Sequence, residues 1–130
     1  MPVLVKFSPA GAESLSAVDI QTLCLLAAFG DLIANTDRHH GNVSLLLYQY
    51  RWQLAPAYDM LPMFYAPVVG KVVERDWASP LPRPNAHTLS VWPQAKALAL
   101  PFWQSASSDG CISSEFRELA RINGGLVQVL

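Results

Sequence analysis

Two short apolar runs on either side of a polar break constrain this chain more than any other feature. The stretch from Asn35 to Met60 reads NTDRHHGNVSLLLYQYRWQLAPAYDM. Val43 to Tyr48 forms the first run, Gln49-Tyr50-Arg51 the break, and Trp52 to Tyr58 the second. Runs rich in β-branched, aliphatic and aromatic residues around a polar break predict a β-hairpin. The break holds no Asn-Gly or Asp-Gly pair, so the prediction rests on the runs rather than on the turn. In an antiparallel pair, the start of the first strand lies beside the end of the second. Asn42 precedes the first run and Asp59 follows the second, symmetric about Tyr50-Arg51. A hairpin centred there carries both to one end, with Asp37 on the loop leading in.

Two carboxylates and a carboxamide in that arrangement suit phosphoryl transfer. An Asn and an Asp at adjacent strand ends can offer oxygen ligands to Mg2+, which accepts few protein ligands and fills its shell with water and phosphate oxygens. A further Asp five residues before the Asn is then free to orient a hydroxyl. Protein kinases divide the work this way: a catalytic-loop Asp takes the substrate proton, an Asn five residues on binds metal, and a later Asp binds metal. Asp37 and Asn42 have that spacing, and Asp59 lies where the third part belongs. Each residue also has a plainer reading. Asp37, Asn42 and Asp59 are all common turn formers. Neighbouring His39 and His40 diverge on any one element, which disfavours a zinc pair. Arg38 either steadies the loop or contacts phosphate, and Gly41 supplies a backbone angle other residues avoid.

The segments Asn35-Thr-Asp37-Arg-His39-His-Gly-Asn42, Val-Ser-Leu-Leu-Leu and Leu54-Ala-Pro-Ala-Tyr-Asp59-Met-Leu resemble the C-terminal kinase lobe of HipA-like toxins, the serine/threonine kinases of bacterial toxin–antitoxin pairs. The strong resemblance runs from near Ala17 to about Pro62. The Asp-x-His-x-x-Asn loop is also similar to that of lipid kinases and aminoglycoside phosphotransferases, and the Leu-Ala-Pro-x-Tyr-Asp ending favours the HipA-like group. The resemblance implies an α+β, mainly helical, protein-kinase-like C-lobe whose short hairpin carries the motifs. It implies Asp37 as catalytic base, His39 as a loop-ordering residue of the site, and Asn42 and Asp59 as Mg2+ ligands that help hold ATP. Val3-Leu-Val-Lys6-Phe is similar to the kinase strand that carries a nucleotide-binding lysine, which implies a cofactor role for Lys6; the plainer reading is an edge strand with a solvated lysine. Further implications are a protein substrate linked to translation, autophosphorylation and restraint by a DNA-binding antitoxin.

Kinases place a glycine-rich loop before that lysine, and a glutamate helix and hinge after it. Here thirty residues separate Lys6 from Asp37. The chain is therefore expected to be one partial C-terminal kinase domain over 1–130, with 1–13 a remnant of the lysine strand and 14–130 the C-lobe. Glu13 is given no pairing role. Two other outcomes fit the residues: an inactive lobe that binds a partner or a second copy of itself, and a small-molecule phosphotransferase.

Composition sets the outer limits. At 130 residues the chain fits one domain with an ordinary core. Apolar residues make up 52% and charged residues 15%, which argues against disorder. Net charge is −1 and no basic run appears, so direct nucleic-acid binding is not expected. No apolar run approaches the roughly 18 residues of a membrane span, and no secretory signal opens the chain. Two cysteines, Cys24 and Cys111, make neither a disulfide framework nor a metal set. A cytoplasmic compartment is expected.

Three helices are predicted. Ser14 to Ala34 has Ser14 or Ser16 as cap, Asp19 in the first turn, and a stripe of Ile20, Leu23, Leu26, Ala27, Phe29 and Ile33. Gly30 is a weak point or a first stop. Trp92 to Ser105 has Pro93 in its first turn, with Pro101 as kink or end. Its inward face is Ala95, Leu98, Ala99 and Phe102. Ser113 to Asn123 stops at Gly124-Gly125, with Phe116, Leu119, Ala120 and Ile122 inward and an outer Glu118–Arg121 pair. The tail LVQVL reads as a last strand or an interface. Seven of the ten prolines lie between Pro62 and Pro101, a density that disfavours long elements. Met60, Met63, Phe64 and Tyr65 read as an apolar loop packing its aromatics on the core, and 74–87 as a polar, proline-broken loop.

Overall fold

The structure is a computed structural model that describes residues 3–6, 15–39, 42–71, 75–78 and 81–130, with backbone only at 3–6. The expectations for Glu13, Ser14, His40, Gly41 and the Lys6 side chain lie outside the described residues. The fold is α+β and mainly helical. Its elements are β1 (Val3–Lys6), α1 (Ala17–Leu32), β2 (Ser44–Tyr48), β3 (Arg51–Leu54), α2 (Trp92–Ser108) and α3 (Ser114–Val129), with short 3-10 turns at Met63–Tyr65 and Leu89–Val91.

The hairpin forms, but its centre is shifted. Tyr48 pairs with Arg51 and Leu45 with Leu54, so Gln49-Tyr50 is a two-residue turn. Both residues have positive φ, 49° and 64°, which defines the type I′ geometry that matches strand twist. Gln and Tyr are poor residues for it, and this is why the break gave no turn signal. The second strand stops at Leu54 rather than Tyr58. Pro56 has no N–H to donate to a ladder, and residues 55–60 continue without strand pairing. β1 pairs antiparallel with the other edge of β2, Val3 opposite Leu47 and Lys6 opposite Ser44. The sheet order is β1-β2-β3.

Ser16 caps α1 by accepting the Asp19 N–H on its Oγ at 3.1 Å. The carboxylate of Asp19 in turn accepts the Leu54 N–H at 3.1 Å, joining the start of α1 to the end of β3. α1 runs through Gly30 to Leu32. A Cβ at Gly30 would lie 2.5 Å from Arg38 Cδ, so the missing side chain makes room for Arg38. The buried face is Ala28, Leu32 and Ile33, with Cys24, Leu25 and Phe29 packed beside it. Ile20, expected inside, is exposed. The helix is apolar almost all round, and its stripe therefore does not fix the inward direction.

The helical half carries the core. α2 buries Trp92, Ala95, Ala99 and Trp103, spaced along one face. Leu98, expected inward, is exposed, and Phe102 packs edge-on against Phe29 with ring centroids 6.1 Å apart. Pro101 lies inside α2 and ends nothing. The carbonyl left without its helical donor belongs to Ala97, and both residues are exposed, so water can satisfy it. α3 is capped by Ser113, whose Oγ accepts the Phe116 N–H at 3.3 Å. It continues through Gly124-Gly125 to Val129, so the tail is helical. Buried Ala120, Asn123 and Val127 face inward, while Ile122 is exposed. Glu118 and Arg121 pair at 2.6 Å on the outer face. Phe64 and Tyr65 pack against the core. Among the described residues no helix is long and apolar enough to cross a membrane.

Candidate functional site

The end of α1 positions the loop that follows. Ala34 adopts φ 60°, the Ala34 N–H donates to Asp31 O at 3.3 Å, and the Asn35 N–H donates to Gly30 O at 2.8 Å. These two bonds are the Schellman closure of a helix C-terminus. They fix Asn35, which is buried, as the first residue of the loop.

From there three segments converge. Asn42 Nδ2 donates to the Asp37 backbone carbonyl at 2.7 Å, and the Asn42 N–H donates to His39 O at 3.0 Å. The loop is thus closed on itself between Asp37 and Asn42. Asn35 Oδ1 accepts the Asp37 N–H at 3.3 Å. Asn35 Nδ2 donates to the Asp59 carbonyl at 3.2 Å and approaches Met60 Sδ at 3.9 Å. Asp59 has φ 54°, a left-handed conformation that Asp tolerates better than most residues. Ser44 Oγ and Tyr58 Oη are hydrogen-bonded at 2.9 Å, clamping the segment before Asp59 to the first residue of β2.

Asn42 and Asp59 line one cavity, with Ser44, Tyr58, Met60 and Arg38 among the other walls. It encloses about 10 Å³, the room of a single water or small ion. The Asn42 amide nitrogen is engaged with Asp37, which leaves Oδ1 as its remaining polar atom. One carboxamide oxygen and one carboxylate are a donor set that suits Mg2+, which keeps several of its own waters. Among the described residues no three His, Cys, Asp or Glu side chains gather to hold a metal.

Asp37 and His39 are exposed on the loop beside this cavity rather than in its wall. β1 brings the Lys6 backbone opposite Ser44, at the Asn42 end of the sheet. Arg38 reaches back across Gly30. It also lines a second cavity of about 410 Å³ with Asp31, Asn35, Thr36, Phe64, Asp76 and Trp77. Burial lowers the Arg38 pKa from its ordinary value, and Asp31 acts in the opposite sense. Burial likewise raises the Asp31 carboxyl, with Arg38 pulling it down. Among the described residues Arg38 Nη1 is buried without a hydrogen-bond partner. Sequence reasoning assigned no role to Asn35, Ser44 or Tyr58. A polar residue directly after a helical stripe, and a Ser and a Tyr flanking two apolar runs, were the available signals.

A helical lobe that presents an Asp–Asn loop and a following Asp at one end of a small sheet defines the class of domain. The chain belongs to the HipA-like C-terminal domain family, whose model matches residues 3–120. It is similar to Toxin YjjJ of Escherichia coli strain K12, with 44% identity over 94 residues. That alignment covers 72% of this chain, which spans 21% of the relative's length. No solved structure matches.

Proposed function

We propose that the chain is the C-terminal kinase-lobe part of a HipA-like toxin and that its site serves phosphoryl transfer from Mg-ATP to a serine or threonine hydroxyl of a protein. In this reading Asp37 orients the hydroxyl and accepts its proton. Asn42 and Asp59 hold Mg2+, which would neutralise charge on the phosphates. Lys6 contacts the phosphates, and His39 orders the loop between Asp37 and Asn42. An antitoxin-like partner and a cytoplasmic setting belong to the same reading. The observation that carries it is the shared cavity of Asn42 and Asp59, with Asn42 bonded to the Asp37 carbonyl at 2.7 Å. Asp37 keeps its carboxylate outside that cavity, as a base that works beside a metal rather than on it must.

Calorimetric titration of Mg-ATP into the chain, beside Asp59→Asn, tests the proposal. Binding that is lost in the variant supports it, and transfer of labelled γ-phosphate to casein or to the chain itself would follow. Absence of binding in both removes it.

The alternative is a lobe that keeps its shape and acts by binding a partner protein. Saturable binding of a cognate antitoxin, with no nucleotide binding, is its signature.

A further inference from the structure

The Asn35 side chain touches both halves of the site. Its backbone is held by the closing turn of α1, through the 2.8 Å bond to Gly30 O. Its side chain is buried, 5% exposed, and uses its two ends differently. Oδ1 takes the N–H of Asp37, and Nδ2 gives to the C=O of Asp59. The partners are a backbone donor and a backbone acceptor, so only one amide orientation satisfies both. Asp59 needs such a partner. Its left-handed φ of 54° is uphill for any residue with a Cβ, and a hydrogen bond to its own carbonyl fixes the peptide plane that follows.

We infer that Asn35 is a positioning residue that sets the Asp59 backbone and the Asp37 loop against each other from the end of α1. It touches no reacting atom. Its value to phosphoryl transfer rests on the reading proposed above. Its geometric role stands independently: a buried carboxamide couples the Asp37 loop to the Asp59 backbone. Partners that orient metal ligands in this way are worth about 10–100-fold in metal affinity.

Two variants separate positioning from general support. Asn35→Asp keeps an oxygen for the Asp37 N–H and loses the donor to the Asp59 carbonyl. Asn35→Ala loses both. In backbone NMR of the full chain, Asn35→Asp is expected to shift the amides of Asp59 and Met60 out of the left-handed pattern while Asp37 keeps its protection from exchange. Asn35→Ala is expected to move Asp59 and expose Asp37. The indole N–H signal of Trp103 reports an intact fold in each. Unmoved Asp59 and Asp37 signals in both variants, or equal disturbance across α2 and α3, would overturn the inference. Mn2+ titration read by broadening of the Asn42 and Asp59 amides is expected to need about tenfold more metal in Asn35→Asp. If Mn2+ leaves even the unaltered chain untouched, the phosphotransfer reading fails, and the NMR comparison still decides the role of Asn35.

Discussion

The indole Nε1 of Trp103 donates to the backbone carbonyl of Leu32 at 2.9 Å, and both residues are fully buried. Leu32 is the last residue of α1, so its carbonyl has no helical donor. The bond satisfies that carbonyl from α2 and locks the two helices just before the loop that carries Asp37. Trp103→Phe keeps a ring and removes the donor. We expect a loss of about 1–3 kcal/mol from the stranded carbonyl, read as a lower urea midpoint with an unchanged slope. A variant as stable as the parent would show that the bond contributes nothing.

Gly30→Ala should behave against the usual rule. A glycine inside a helix normally costs about 0.5–1 kcal/mol relative to alanine. Here the new Cβ would meet Arg38 Cδ at 2.5 Å. The substitution is expected to give no gain in the parent and to regain about 0.5–1 kcal/mol only when Arg38→Ala removes the obstacle. A thermodynamic double-mutant cycle measures the coupling, and additive effects would contradict the packing described.

Val69 offers the opposite case. It sits at φ 50° beside Gly70 at φ 72°, in a tight turn closed by the 2.8 and 3.0 Å bonds between Val68 and Lys71. A β-branched residue is strained there, and this one is 95% exposed, so little packing offsets it. Val69→Asn creates the Asn-Gly pair such turns favour. Stabilisation of about 0.5–1 kcal/mol is expected in thermal unfolding.

Tyr65 gives the pH dependence. Burial raises its phenol pKa above the ordinary value, the hydrogen bond from Asn123 opposes this, and the charge of Asp76 adds to the rise. The folded state therefore holds the proton more tightly than the unfolded state. Its contribution is fully present below about pH 10, the unfolded value, and is lost as pH rises through the folded value. Unfolding measured from neutral pH to pH 11 should show stability falling at the alkaline end. Tyr65→Phe should flatten that fall. An Asn123→Ala variant, which removes the 2.7 Å donor to the phenol, should push the tyrosinate absorbance transition higher still.

Much of this architecture is written locally. The two apolar runs specify the hairpin, Ser16 and Ser113 mark two helix starts, and the Asp37–Asn42 spacing marks the loop. What escaped the sequence depends on distant partners. Gly124 and Gly125 look like a helix stop, yet α3 continues through them to Val129, and Gly124 faces α2. A Cβ at Gly124 would stand 3.4 Å from Trp103 Cβ. The inward faces of α1 and α2 were misjudged at Ile20 and Leu98, which are exposed, because both helices carry apolar residues outside the face that packs. Asn35 was given no role of its own because its main partners are the Asp37 N–H and the Asp59 carbonyl, backbone groups that no side-chain pattern records.

Among the described residues, the buried centre of α2 and α3 contains none of Asp37, His39, Asn42 or Asp59. Substitutions at the loop and the sheet end can therefore accumulate without unfolding the helical body. Natural copies of such a lobe should accordingly accumulate changes in the loop and sheet end before they accumulate them at Trp92, Ala95, Ala99 and Trp103.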